Sequence, residues 1–176
     1  MTRPIVITGF MGCGKSNIAR ELAERLDVSL VDLDHSITER TGRTPAQLIR
    51  EEGESAFRTI ESDALRDALH SGDAGVIALG GGAWIQAINR ELIDQHSGVS
   101  VWLDVPFEVC WTRIESAGED RPLGQTRSQA LELYERRRPV YELANIHIPV
   151  SGNEDPDELI SQISRRFTQK NADQKI

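Results

Sequence analysis

The chain has 176 residues, 39% of them hydrophobic, which is enough to bury one sizeable core and too little for two, so a single domain is expected over residues 1–167. Its formal net charge of −8 gives a surface that repels nucleic acid and anionic lipid, and the expectation is no nucleic-acid and no membrane partner. No window approaches a membrane span, the first residues do not read as a secretion leader, and Cys13 and Cys110 match neither a disulfide framework nor a metal spacing, so a monomeric cytoplasmic protein is expected.

Along the chain, short apolar runs alternate with helix-period segments, the pattern of an α/β protein. Strands are expected at residues 4–8, 30–33, 76–79, 99–103 and 146–150, giving three layers with a five-stranded parallel sheet flanked by helices. The first strand leads into Gly9, Phe10, Met11, Gly12, Cys13, Gly14, Lys15 and Ser16, which is the glycine, four residues, glycine, lysine, serine pattern of a phosphate-binding loop. Backbone N–H groups of such a loop and of the following helix start point at phosphate oxygens, a lysine reaches the β- and γ-phosphates, and a serine hydroxyl meets Mg²⁺. ATP is therefore expected on Gly12, Cys13, Gly14, Lys15, Ser16 and Asn17, with Mg²⁺ beside Ser16. Cys13 reads as a small buried side chain in a position where only the backbone matters. Ile18, Ala19, Leu22, Ala23 and Leu26 then form a core stripe at helical spacing.

Asp32 and Asp34 flank the end of the second strand, where alternation sends both carboxylates to one side. One can serve the magnesium shell and the other a substrate hydroxyl, although such a pair alone is also common at ordinary strand ends. Residues 34–75 exceed what a simple crossover needs, so the excess is expected to build a substrate site. Within it, Thr44, Pro45 and Gln47 read as a helix start with a capping box, and Phe57, Ile60, Ala64 and Ala68 as a second core stripe. Gly80, Gly81 and Gly82 follow the third strand and allow a ligand to approach the backbone closely. Residues 117–128, with Gly118, Pro122, Gly124 and several charges, read as a mobile lid. Arg136, Arg137 and Arg138 precede Pro139, and residues 168–176 are polar enough to fray. The four histidines show no metal or catalytic spacing. Trp84, Trp102 and Trp111 read as core or pocket wall.

The phosphate loop, the Asp-x-Asp pair, Gly53-Glu54-Ser55-Ala56-Phe57-Arg58-Thr59-Ile60-Glu61, the triple glycine, Arg121-Pro122-Leu123 and Arg137-Arg138-Pro139-Val140-Tyr141 occur in an order and spacing that resembles the shikimate kinase family. The resemblance covers residues 5–156. It implies transfer of the γ-phosphoryl group of ATP to the 3-hydroxyl of shikimate, with Asp34, Arg58, Gly80, Gly81, Gly82 and Arg137 as shikimate contacts. It also implies Arg121 as a lid arginine on the phosphates, Mg²⁺ near Ser16 and Asp32, the latter through water, and Lys15, Asp34 and Arg121 as the catalytic set. Arginine forks for a carboxylate and an aspartate for hydroxyls suit such a ligand on chemical grounds. Gly124 and Asn17 depart from the family pattern where leucine and threonine are usual, and Arg113 is a further candidate for the nucleotide. Kinases of a related polyol acid, aminoshikimate or gluconate, and a non-catalytic nucleotide- or shikimate-sensing module remain as rivals.

Overall fold

The computed structural model describes residues 3–118 and 122–173. The apolar runs form five strands, β1 (Ile5–Thr8), β2 (Ser29–Asp32), β3 (Ala74–Ala78), β4 (Val99–Asp104) and β5 (Ile146–Pro149). All pair in parallel, in the order β2-β3-β1-β4-β5. Burial follows that order. Every residue of the central strand β1 is buried, because helices cover both faces, whereas β5 at the edge alternates buried Ile146 and Ile148 with exposed His147 and Pro149.

Among the described residues, eight helices join and flank the strands: α1 (Lys15–Leu26), α2 (Leu33–Thr41), α3 (Pro45–Glu52), α4 (Glu54–His70), α5 (Ala87–Gln95), α6 (Phe107–Ala117), α7 (Arg127–Tyr141) and α8 (Pro156–Asp173). A 3₁₀ turn, Ala83–Ile85, precedes α5. Ile18, Ala19, Leu22 and Ala23 of α1 are buried, as the helical stripe requires. At the start of α3, Thr44 Oγ1 accepts from the Gln47 N–H at 3.2 Å while Gln47 Oε1 accepts from the Thr44 N–H at 2.8 Å, and Pro45 stands at the first turn. That reciprocal cap is worth about 1 kcal/mol.

Three boundaries differ from the sequence reading. Asp34 does not continue β2: the strand stops at Asp32, whose carboxylate accepts the His35 N–H at 3.3 Å and caps α2, so helical phase rather than strand alternation places Asp34. The expected lid overlaps α7, which begins at Arg127 because Thr126 and Gln129 form a second capping box. The C-terminal helix does not end near Phe167 but runs to Asp173. Arg3 donates to Asn171 Oδ1 at 2.9 Å and Lys170 to the Asn145 carbonyl at 3.4 Å, which ties this polar turn to the N-terminal segment and the sheet edge. Within the expected lid, residues 119–121 lie outside the described residues.

Candidate active site

Parallel pairing brings the carboxyl ends of β1, β2 and β3 to one edge, where such sheets bind ligands. A cleft of about 1020 Å³ opens there. One half of it is the loop between β1 and α1. Gly12 has φ 75°, and a Cβ there would lie 2.7 Å from the Cys110 carbonyl oxygen, so only glycine permits the turn and its seat on α6. The first N–H groups of α1 have no partners within the helix, which makes its start an anion site. Lys15 is 9% exposed, and its Nζ donates to the Gly9 carbonyl at 3.0 Å and the Phe10 carbonyl at 2.8 Å, so the ammonium is held over the loop. Ser16 and Asn17 are exposed at the cleft. Cys13 is buried, and burial pushes the neighbouring Cys110 thiol up to about 12. Arg113 Nη1 approaches the Gly12 and Cys13 carbonyls at 3.4 Å each, at the outer lip of the loop.

The other half is carried by α2, α4, α7 and the turn after β3. Arg58 and Glu61 lie one turn apart on α4 and pair at 2.7 Å, while Glu54, one turn earlier, accepts from Arg58 Nε at 3.3 Å and Nη2 at 2.9 Å. The guanidinium also lies over the Phe57 ring, 5.1 Å from its centroid. Desolvation lowers the Arg58 pKa, but the carboxylates of Glu61 and Glu54 outweigh it and raise it overall. Arg137 is buried on α7 and donates to the Gly81 carbonyl at 3.2 Å; burial and the nearby Arg58 lower its pKa. Helical phase separates the three neighbouring arginines. Arg136 is exposed, and Arg138 turns outward to Asp104 at 2.9 Å and over the Trp102 ring. A Cβ on Gly80 would fall 2.6 Å from Asp34 Oδ1 and 2.8 Å from Glu61 Oε1, and one on Gly82 would fall 2.6 Å from Arg58 Cζ. The glycine turn is therefore the surface on which Asp34, Arg58 and Glu61 assemble.

Glu61 was not assigned a role from sequence, although its spacing from Arg58 was the available signal. It is 1% exposed, and burial pushes its carboxyl up to about 7 against the opposing pull of Arg58, with Asp34 adding to the rise. The folded protein therefore binds this proton more tightly than the unfolded chain, so the charged form costs stability that grows as pH rises from about 4.5 towards about 7. Denaturation of the unaltered protein and Glu61→Gln across that window should show their stability difference changing by about 2–4 kcal/mol in favour of the variant. A pH-independent difference would contradict this.

Of the residues expected at the site, Gly12, Gly14, Lys15, Ser16, Asn17, Asp32, Asp34, Arg58, Gly80, Gly81, Gly82 and Arg137 all line the one cleft. Arg121 lies outside the described residues, while the adjacent Pro122 and Leu123 border the cleft. Trp84 packs behind the glycine turn, its indole N–H donating to the Val140 carbonyl at 2.9 Å. His35 is the histidine that reaches the cleft among the described residues. None of these residues forms a cluster of three or more His, Cys, Asp or Glu able to hold a metal. Ser16 and Asp32 are hard oxygen donors in one cleft, and that set fits Mg²⁺, which takes one or two protein ligands besides water and phosphate oxygens.

A phosphate loop joining the central strand to a helix, in a parallel sheet of this order with its cleft at the strand ends, defines a P-loop kinase. A family model for shikimate kinase matches residues 11–168. The chain belongs to the shikimate kinase family. It is 35% identical over 173 residues to the shikimate kinase of Rhodococcus jostii, covering 96% of this chain and 100% of that one. It is 34% identical over 165 residues to that of Persephonella marina, covering 94% and 99%. Among solved structures, shikimate kinase from Acinetobacter baumannii in complex with shikimate superposes with a TM-score of 0.87 at 34% identity, over 97% of this chain and 95% of that one. A deoxyadenosine kinase from M. mycoides, 15% identical with a TM-score of 0.64 over 94% of this chain and 99% of that one, shares the fold.

Proposed function

We propose that the protein phosphorylates the 3-hydroxyl of shikimate with Mg²⁺-ATP, giving shikimate 3-phosphate and ADP. The observation that carries this reading is the convergence of Arg58, Arg137 and Asp34 on a triple-glycine turn in the same cleft as the phosphate loop. Three of the Arg58 hydrogen bonds go to Glu54 and Glu61, out of five N–H donors on a guanidinium, so the fork is oriented and retains donors for a ligand carboxylate. Arg137 supplies the second fork. Asp34 accepts from the reacting hydroxyl, with the backbone of Gly80, Gly81 and Gly82 against the ring.

The acceptor oxygen attacks the γ-phosphorus in line, the bond to the β-bridging oxygen breaks, and the hydroxyl proton passes to Asp34. The transition state is largely dissociative, so placement and charge neutralisation supply most of the rate, and proton removal by Asp34 is late. Lys15 follows the charge that moves toward the β–γ bridge, and Arg121 adds a second cation from the lid. Ser16 and, by way of water, Asp32 would hold Mg²⁺, which would supply charge neutralisation at the phosphate oxygens. Cys13 and Asn17 contribute backbone N–H groups to the phosphates. We further place the protein in the cytosol, a reading supported by two buried, unbridged cysteines, and take it to act as a monomer.

Incubation with Mg²⁺-ATP and shikimate, followed by ³¹P NMR of the product, tests the reaction. A phosphomonoester at the 3-position is expected, and a phosphate elsewhere, or ADP without a phosphorylated acceptor, overturns it. Gly82→Ala gives a second test. Gly82 has φ −111°, so alanine suits the backbone, and the new methyl would displace the Arg58 guanidinium. The variant should stay folded, though less stable because the Arg58–Glu61 pair is disturbed, while its KM for shikimate rises about tenfold or more, as expected when a charge-assisted contact is displaced. An unchanged KM would place Arg58 away from the substrate.

A further inference from the structure

Tyr141 lies outside the cleft lining, yet its side chain is directed at the turn on which the cleft is built. It is 2% exposed, and its ring stacks on Trp102 of β4 with centroids 6.2 Å apart. Its hydroxyl donates to the Gly81 carbonyl at 2.5 Å, and the same oxygen accepts from Arg137 Nη1 at 3.2 Å. Arg137 and Tyr141 are one turn apart on α7, so both reach the same carbonyl from one face of the helix. One carbonyl oxygen thus accepts from a phenol and a guanidinium together. A Cβ on Gly81 would lie 3.3 Å from the Met11 backbone nitrogen, so the peptide held by these two donors rests against the phosphate loop.

We propose that Tyr141 is a positioning residue for the acceptor, its hydroxyl clamping the Gly81 carbonyl and so fixing both the glycine turn and the Arg137 guanidinium in binding geometry. The proposal rests on the shikimate reading of the cleft. The peptide unit is planar and trans, so a Gly81 carbonyl drawn toward Tyr141 turns the Gly82 N–H to the opposite side. Without the phenol, Arg137 holds the carbonyl alone. A carbonyl held by one donor in place of two turns more freely, and the buried guanidinium that follows it leaves the geometry in which it meets the ligand.

The test is calorimetric binding of shikimate and, separately, of ADP to the unaltered protein and Tyr141→Phe, which keeps the ring and its stacking. The expected result is a Kd for shikimate raised about tenfold with ADP affinity within about twofold, and a KM for shikimate that rises more than kcat falls. Equal shikimate affinity in the two proteins overturns the clamp and leaves the substrate reading standing. Absence of shikimate binding to both removes the substrate reading and the clamp with it. A second measurement does not depend on the variant folding. The chain has two tyrosines, so 3-fluorotyrosine labelling gives two ¹⁹F resonances, assigned with Tyr134→Phe. The Tyr141 resonance should shift on addition of shikimate and stay in place with ADP; no shift with shikimate contradicts the proposal.

Discussion

Lys15→Ala is expected to leave a folded protein whose turnover is lower by about two to four orders of magnitude. The ammonium is held over the loop by two carbonyls, at 2.8 and 3.0 Å, so it is placed before the nucleotide arrives and spends little on reorganisation during transfer. Its interaction strengthens as negative charge develops on the β–γ bridge, so its loss falls on kcat more than on ground-state binding. Removing the side chain forfeits two hydrogen bonds, a net cost of about 1–3 kcal/mol to the fold. Lys15→Arg should not restore the rate, because a planar fork cannot occupy the position of a compact ammonium. Steady-state kcat alongside circular dichroism checks this, and near-normal turnover in the folded alanine variant would sink the role.

Loss of either arginine fork should fall on the acceptor instead. Arg58→Ala or Arg137→Ala is expected to lower kcat/KM for shikimate by about 30- to 1000-fold, the consequence of removing one charge-assisted partner from a largely desolvated pair. The KM for ATP should change much less, because both side chains lie across the cleft from the phosphate loop. The methyl ester of shikimate should already be a poor substrate for the unaltered protein, and Arg58→Ala should discriminate far less between acid and ester. The two substitutions should be non-additive if, as proposed, both forks address one carboxylate. Arg58→Ala also leaves Glu61 buried without its cation, which drives its carboxyl further toward the neutral form. Measurement of kcat/KM for acid and ester across the four proteins decides it, and equal efficiency on both in the unaltered protein removes the carboxylate from recognition.

The phosphate loop was legible because its chemistry is local: a strand, the spaced glycines and Lys15-Ser16 follow one another without interruption. So was the start of α3, where Thr44 and Gln47 satisfy each other within one turn. The triple glycine could be placed after a strand, but what packs on it is non-local. Its contacts with Arg58, Glu61 and Tyr141 join β3 to α4 and α7, and no spacing rule reports those distances. Asp34 does line the cleft, but not by strand alternation, since a cap at Asp32 ends the strand before it and helical phase places it. The resemblance implied Arg137 among three neighbouring arginines, and the helical phase of α7 tells them apart by burying Arg137 and turning Arg138 out to Asp104. Strand order could not be read at all, because apolar runs say which segments are buried and not which lie side by side. The C-terminal turn of α8 was missed because its contacts are polar and long-range, through Asn171 and Lys170.

The most direct test of the central claim is ADP release with Mg²⁺-ATP against shikimate, aminoshikimate, quinate and gluconate, read as kcat/KM for each. The cleft brings Arg58, Arg137 and Asp34 together, and on the roles proposed for them shikimate should be preferred, gluconate should be phosphorylated poorly or not at all, and ADP release without an acceptor should be slow. Activity on gluconate alone, or the same rate of ADP release with every acceptor and with none, would contradict the assignment.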